Sequence, residues 1–331
     1  MKYRKLGRTG LLVSEISLGT MTFGNQIDEA ESIKLMKYAM ESGVNFIDTA
    51  DSYVDGRTEE IVGKGLKGER QSVVLATKVG SWKSGPSVND VGLSRKHILQ
   101  EIEESLRRLG TDYVDIYYAH IPDEGTPIDE TLRAFDDLIS QGKVRHIGCS
   151  NFCAWELCKA LWMSDRHNLA RFECIQPPYN LLTRSIEDEL LSLCASEKVG
   201  VCVFNPLAGG LLTGKHDPAK TPPKDTRFGN VRQGKVYSDR YWVDDNFKAV
   251  ARLKEVAQKP GRSMAQFALA WILNNETITS VICGVNSIKQ LGENLGATEL
   301  KLTKDELAVC DEVWHQFRPP RFFYGQQRLR R

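Results

Sequence analysis

Eight short runs of β-branched and aromatic residues, each leading into a segment of helical periodicity, limit what this chain can fold into. The runs are ISLG (16–19), NFID (45–48), VVLATK (73–78), YVDIYYAH (113–120), VRHIGCS (144–150), FECIQ (172–176), GVCVFN (200–205) and SVICG (280–284). Strands that alternate with helices pack as a parallel sheet with the helices outside. Eight such units predict a closed (β/α)8 barrel of the TIM type. An open doubly wound sheet would call for a Gly-rich dinucleotide fingerprint after its first strand, and ISLGTMTFGNQ lacks the G-x-G-x-x-G pattern.

Local signals support this reading. In SRKHILQEIEESLRRLG, Ile98, Ile102, Leu106 and Leu109 recur at helical spacing. Ser94 is a good N-cap, and Gly110 stands where a left-handed C-cap is wanted. YRKLGRTGLLVSEIS, with its turn centred on Arg8–Gly10, predicts a β-hairpin ahead of the barrel. One long irregular stretch, 206–242, follows the seventh strand, and loops of that length in a compact fold usually cover or bind something. With no internal repeat or linker, residues 1–331 read as a single domain.

Composition excludes several function classes. Forty-four Lys and Arg against 43 Asp and Glu give a net charge of +1, so there is no electrostatic case for nucleic-acid or membrane-surface binding. The N-terminus lacks the apolar core of a signal peptide, and no apolar run is long enough to span a bilayer. The eight cysteines show no C-x-x-C and no paired spacing with histidine, so they read as small hydrophobes with free thiols rather than zinc ligands. These features point to a reducing, cytoplasmic setting and to no metal.

Barrel active sites lie at the C-terminal strand ends. Here those ends are Asp48, Lys78, His120, Ser150–Asn151, Gln176, Asn205 and Gly284, with Tyr53 on the loop after Asp48. Each has an ordinary reading: Asp48 as a loop acid or N-cap, His120 as a satisfied structural histidine, Tyr53 as a packed aromatic. Lys78 is harder to set aside, because lysine is almost never buried unpaired. Taken together the four make chemical sense. An ammonium beside a phenol favours the phenolate, an aspartate keeps the ammonium charged, and an imidazole can orient a substrate oxygen. Such a set could protonate a carbonyl oxygen while hydride reaches the carbon.

The chain resembles the aldo-keto reductase superfamily along nearly its whole length. The resemblance rests on six ordered motifs: NFIDTADSYVDGRTEEIVGKGL, LATKVG, DYVDIYYAHIPD, GKVRHIGCSNF, IQPPYNLL and FNPLAGGLLTGK. It is nearest to the bacterial-type sugar and aldehyde reductases and the potassium-channel β-subunit branch. The resemblance implies an NADPH-dependent carbonyl reductase, with NADH as the less expected cofactor. Tyr53 would be the general acid, Lys78 and Asp48 the pair that tunes it, and His120 the substrate-orienting donor. Gly19, Thr20 and Met21 would join the cofactor wall. Ser150, Asn151 and Gln176 would hold the nicotinamide carboxamide, with Phe204 stacked on its ring. Asn205, Leu207 and Gly209 would line the diphosphate, with Lys215 and Arg227 reaching it from the long loop. Gly284, Asn286, Gln290, Glu293 and Asn294 would hold the adenosine end, on a helix starting near Ser287 whose N-terminus favours phosphate.

The sequence departs from the family pattern in two places. HIPD stands where His-Trp-Pro-Asp is usual, so Ile121 should widen the substrate side. Asn286 and Ser287 occupy positions where many NADPH-specific relatives place an arginine or serine, which leaves Lys289 or Arg227 to supply that charge. Met21, Phe23, Trp82, Ile121 and Asn151 are expected around the mouth with Tyr53 and His120. The basic, aromatic tail RPPRFFYGQQRLRR reads as a solvated end, or as a flap over the mouth. Two functions compete: a reductase of aldehydes or sugar-like carbonyls, and an NADPH-binding regulatory subunit. The intact tetrad favours turnover, as does the lack of a long N-terminal extension. A metal-dependent lyase or hydrolase ranks last, since His120 stands alone at the strand ends.

Overall fold

The computed structural model describes residues 1–331 except 82–84, 225, 230–233, 258–260 and 319–331. Trp82 and the tail from residue 319 therefore lie outside the described residues. The chain opens with an antiparallel hairpin of β1 (Tyr3–Lys5) and β2 (Leu12–Ser14). Gly7 turns it at φ 55°, and a Cβ there would lie 2.4 Å from the Glu173 carbonyl oxygen, so the hairpin seats against the barrel only with glycine at this turn.

Eight parallel strands then close a barrel: β3 (Ile16–Gly19), β4 (Phe46–Asp48), β5 (Val74–Val79), β6 (Val114–Ala119), β7 (Val144–Ser150), β8 (Phe172–Gln176), β9 (Gly200–Val203) and β10 (Ile278–Gly284). β10 pairs with β3, aligning Gly284 with Gly19. Every run expected from the sequence is a barrel strand, with limits shifted by a residue or two. The (β/α)8 TIM barrel with its N-terminal hairpin is the fold of this protein.

Strand alternation explains why the barrel is filled below and reactive above. Phe46, Val74, Ala76, Ile116, Tyr118, Cys174, Cys202 and Ile282 point inward and pack with Leu6 and Val13 of the hairpin. Their neighbours Ile47, Leu75, Tyr117, Ile147, Ile175, Val201 and Val281 pack outward against the helices. With a period of two, the next inward positions after Phe46, Ala76 and Tyr118 are Asp48, Lys78 and His120. The register sets Asp48 opposite Ala76 and Lys78 opposite Tyr118, so the inward positions continue in step from strand to strand.

The outer layer includes α1 (Glu29–Glu41), α2 (Arg57–Gly65), α3 (Arg95–Leu109), α4 (Ile128–Ser140), α5 (Ala154–His167) and α6 (Leu190–Glu197). It continues with α7 (Gly234–Tyr241), α8 (Asp244–Ala257), α9 (Met264–Leu273), α10 (Ile288–Leu295) and α11 (Lys304–Phe317). The Ser94 hydroxyl accepts from the His97 N–H, and Gly110 ends α3 at φ 62°. The stretch 206–242 is less irregular than its sequence suggests. It holds a 3₁₀ turn, Ala208–Thr213, and then α7. Six cysteines are buried, while Cys153 and Cys158 are exposed on and beside α5, and all eight are free thiols. No helix among the described residues is long and apolar enough to cross a membrane.

Candidate active site

A cleft of about 1030 Å3 crosses the C-terminal mouth of the barrel, from Tyr53 and His120 to Glu293 and Asn294 of α10. At its inner end Lys78, 0% exposed, donates from Nζ to Asp48 Oδ1 at 2.6 Å, to the Thr49 carbonyl at 2.7 Å and to the Tyr53 hydroxyl at 3.3 Å. The ammonium also lies 4.9 Å from the Tyr53 ring centroid. Asp48 spends its other oxygen on Gln176, whose Nε2 donates at 2.8 Å. Lys78 does not reach the cleft wall. It lies behind Tyr53 and acts on the opening through the phenol.

Burial works against the charge on Lys78, but Asp48 and Tyr53 together raise its pKa above the ordinary lysine value. It is an ammonium at neutral pH. Burial raises the Tyr53 hydroxyl above its ordinary value and the pull of Lys78 opposes this without overcoming it. The expected lowering of the tyrosine by its lysine is thus present as a contribution and outweighed. Removal from water, with Lys78 nearby, holds His120 well below the ordinary histidine value, so the imidazole is neutral. The His120 and Tyr53 rings meet edge to face with centroids 6.0 Å apart, and His120 Nδ1 is buried with no partner among the described residues. The arrangement joins a protonated phenol, a fixed ammonium and a neutral imidazole, which is what transferring one proton to a substrate oxygen requires.

The remaining wall follows the strand ends. Gly19, Thr20 and Met21 border it after β3, Ser150 and Asn151 after β7, Gln176 after β8, and Phe204, Asn205, Leu207 and Gly209 after β9. Lys215 and Arg227 line it from the long segment, and Gly284, Asn286, Gln290, Glu293 and Asn294 line its far end. Several of these side chains also brace the wall. Ser150 Oγ donates to the Gln176 carbonyl at 2.8 Å, and Asn151, at φ 63°, donates from Nδ2 to the His120 carbonyl at 2.8 Å. Asn205 accepts from the Gly209 N–H at 2.8 Å and donates to the Tyr241 hydroxyl at 2.7 Å, so its amide fixes the turn after β9. Gln290 Oε1 accepts from the Asn286 N–H at 2.8 Å, and Ser287 is the N-cap of α10, as its sequence suggests.

Among the residues expected around the mouth, Met21, Tyr53, His120, Ile121 and Asn151 line the cleft. Phe23 does not. It is 0% exposed and packs in the outer core, where its carbonyl accepts from Thr58 Oγ1 on α2 at 3.1 Å. Thr22 still borders the cleft, and no periodicity marks Phe23 as the point where the side chains leave it. Lys289 is exposed and is not among the lining residues, whereas Arg227 and Arg240 are. Tyr237 and Arg240 were not anticipated. They reach the cleft because α7 forms in a stretch whose sequence reads as loop, and the Arg227 guanidinium lies 5.1 Å from the Tyr237 ring.

The wall suits an extended dianionic cofactor. Cations at Lys215, Arg227 and Arg240 flank its middle, the turn after β9 bends through left-handed Asn205, Ala208, Gly209 and Gly210, and a helix N-terminus stands at its far end. A Cβ at Gly284 would project into this space, with its nearest neighbour, Arg227 Nη2, 3.7 Å away. A barrel with a lysine-tuned phenol at one end of such a cleft has the layout of an NAD(P)H-dependent oxidoreductase.

Comparison with known proteins agrees. Residues 15–315 match the aldo/keto reductase family. The chain is 39% identical over 305 residues to a probable voltage-gated potassium channel subunit beta of Arabidopsis thaliana, covering 91% of this chain and 92% of that protein. A protein of the same description from Oryza sativa subsp. japonica is 39% identical over 327 residues, 97% and 98% of the two chains. An uncharacterized oxidoreductase of Bacillus subtilis, YrpG, is 35% identical over 324 residues, 95% and 96% of the two chains. The chain belongs to the aldo/keto reductase family.

Proposed function

We propose that this protein reduces an aldehyde or sugar-like carbonyl to the alcohol, with NADPH as the hydride source and Tyr53 as the proton donor. The observation that carries the reading is Lys78, held by Asp48 at 2.6 Å and touching the Tyr53 hydroxyl at 3.3 Å beside a neutral His120. His120 offers a ring N–H that orients the carbonyl oxygen toward Tyr53. Tyr53 gives up its proton as negative charge develops on that oxygen, and Lys78 stabilises the phenolate left behind. Asp48 keeps the ammonium in place, and Gln176 ties Asp48 to the cofactor wall. The bound cofactor supplies the hydride. Ser150, Asn151 and Gln176 would hold its carboxamide and Phe204 would stack on its ring. Lys215 and Arg227 would balance phosphate charge, and Asn286, Gln290, Glu293 and Asn294 would receive the adenosine end. The preference for NADPH over NADH rests on Arg227, supported by Arg240, since an extra phosphate favours an extra guanidinium.

Ile121, 37% exposed at the mouth, leaves the substrate side wide and partly apolar. That suits aromatic aldehydes and hydroxyaldehydes better than small charged acids. A second reading is an NADPH-binding regulatory subunit with slow turnover, favoured by the two plant relatives described as probable channel β subunits. The test is multiple-turnover oxidation of NADPH and NADH by the purified chain across aromatic aldehydes, small hydroxyaldehydes and oxidised sugars. Sustained turnover with NADPH supports the reductase. Tight NADPH binding with at most one turnover would replace it with the regulatory reading.

A further inference from the structure

The cleft continues behind the Tyr53 loop into a chamber walled by Asp51, Glu101 and Arg108. Asp51, His97 and Glu101 each bring one potential ligand atom there, all within 4.8 Å of one another. His97 is 1% exposed, and neither ring nitrogen has a hydrogen-bond partner among the described residues. Asp51 accepts from the Ser52 N–H through Oδ1 at 2.6 Å, while its Oδ2 is buried and unpartnered. The Tyr117 hydroxyl is likewise buried and unpartnered. An imidazole with both nitrogens idle, beside an idle carboxylate oxygen, is a polar group that packing alone does not explain.

Charge points the same way. Arg108 bridges Glu59 at 2.6 Å and Glu101 at 2.5 Å, and no other cation among the described residues forms an ion pair with Asp51, Glu59 or Glu101. Lys96 stands 4.0 Å from Asp90, a separate pair whose lysine is largely exposed. Arg108 is thus shared by two carboxylates, and Asp51 has no cation partner among the described residues. The loop bearing Asp51 is also constrained just beyond Tyr53. Val54 and Asp55 sit at φ 48° and 54°, a region a β-branched residue seldom occupies without outside support.

We propose that Asp51, His97 and Glu101 form a site for a divalent transition-metal cation of the Zn2+ class, reached from the main cleft. One imidazole and two carboxylates suit Zn2+, Co2+ or Mn2+ better than Mg2+ or Ca2+, which favour all-oxygen shells. A tetrahedral ion holds its ligands at about 2.0–2.2 Å, so the Asp51 and Glu101 side chains close inward on binding. His97 and Glu101 are four residues apart on one face of α3, whereas Asp51 comes from the loop after β4. An ion there ties α3 to the loop that carries Tyr53. The motif is invisible to Cys/His spacing because its ligands lie on two separate elements.

The full-length chain, stripped with chelator and dialysed, is titrated with Co2+ followed by absorption, then with Zn2+ against a chromophoric chelator. One Co2+ per chain, with ligand-field bands, no thiolate charge-transfer absorption and displacement by Zn2+, is expected. Cys153→Ser with Cys158→Ser should retain this uptake, while His97→Gln and Asp51→Asn should each weaken it at least tenfold. Far-UV circular dichroism shows whether each variant is folded, and either one suffices if the other is not. Absence of uptake, uptake carried by the exposed thiols, or affinity unchanged in a folded ligand variant would each overturn the proposal.

Discussion

Replacing Lys78 by methionine removes the ammonium and keeps a side chain of similar length, so the effect isolates the charge. Lys78 makes its three hydrogen bonds inside the barrel mouth, and Asp48 beside it is 2% exposed. In Lys78→Met, Asp48 keeps the Gln176 contact at 2.8 Å but loses its cation, and the Thr49 carbonyl loses its donor. Breaking a buried pair by removing one partner costs about 3–5 kcal/mol, because the remaining charge is stranded in a poorly solvating environment. Against a total stability of roughly 5–15 kcal/mol the variant should still fold. With a urea slope of about 3 kcal/mol/M, the unfolding midpoint should fall by more than about 1 M. Adding Asp48→Asn removes the stranded charge and should recover most of that loss, because two charges of one pair do not contribute independently. Urea titrations of the wild type, both single variants and the double variant complete the cycle. A Lys78→Met midpoint within about 0.3 M of wild type, or additive single effects, would refute the claim that this pair is held as buried ions.

Three further outcomes follow from the same geometry. Burial and Lys78 keep His120 well below its ordinary value of 6.5, and Tyr53 sits above its ordinary 10.0. Neither group changes charge between those values, so kcat/KM for reduction should be flat across that range and fall only as Tyr53 loses its proton at higher pH; a limb near pH 7 in a pH–rate profile would contradict this. Gly63→Ala would place a Cβ 2.4 Å from the Leu109 carbonyl oxygen where α2 crosses the end of α3. Overpacking of that kind costs about 1–3 kcal/mol, so a lower Tm is expected, and an unchanged Tm would show that the helices separate freely. Arg227→Met should raise the KM for NADPH about tenfold or more, since a charge-assisted hydrogen bond contributes about 1.5–3 kcal/mol. The KM for NADH should move less, and equal losses for the two cofactors would assign Arg227 to the shared diphosphate.

Much of this was legible because a parallel barrel converts sequence period into geometry. Each apolar run announced a strand, and the polar residue at its C-terminal end announced a side chain at the mouth. That logic placed Asp48, Lys78 and His120 before any contact was known. It failed at Phe23, because the turn after β3 folds its aromatic beneath α2 and no periodicity marks that turn. It also passed over Tyr237 and Arg240, where polar, glycine-bearing sequence hid a helix. The Asp51–His97–Glu101 chamber could not be found by spacing at all, since it exists only where the Tyr53 loop meets α3. The pKa of Tyr53 was misjudged in balance rather than in kind. Lys78 pulls it down as reasoned, but burial of the phenol is the larger influence.

Tyr53→Phe removes the proposed proton donor and nothing else from the site. Its hydroxyl contacts Lys78 at 3.3 Å, and the ring that remains still packs edge to face with His120. Steady-state NADPH oxidation and NADPH affinity by fluorescence should be measured on the same preparation, with the best carbonyl found for the wild type. A positioned general acid contributes about 10²–10⁴-fold. Turnover should therefore fall at least about a hundredfold while NADPH affinity stays within about threefold of wild type. Near-normal turnover in Tyr53→Phe would rule out Tyr53 as the proton donor.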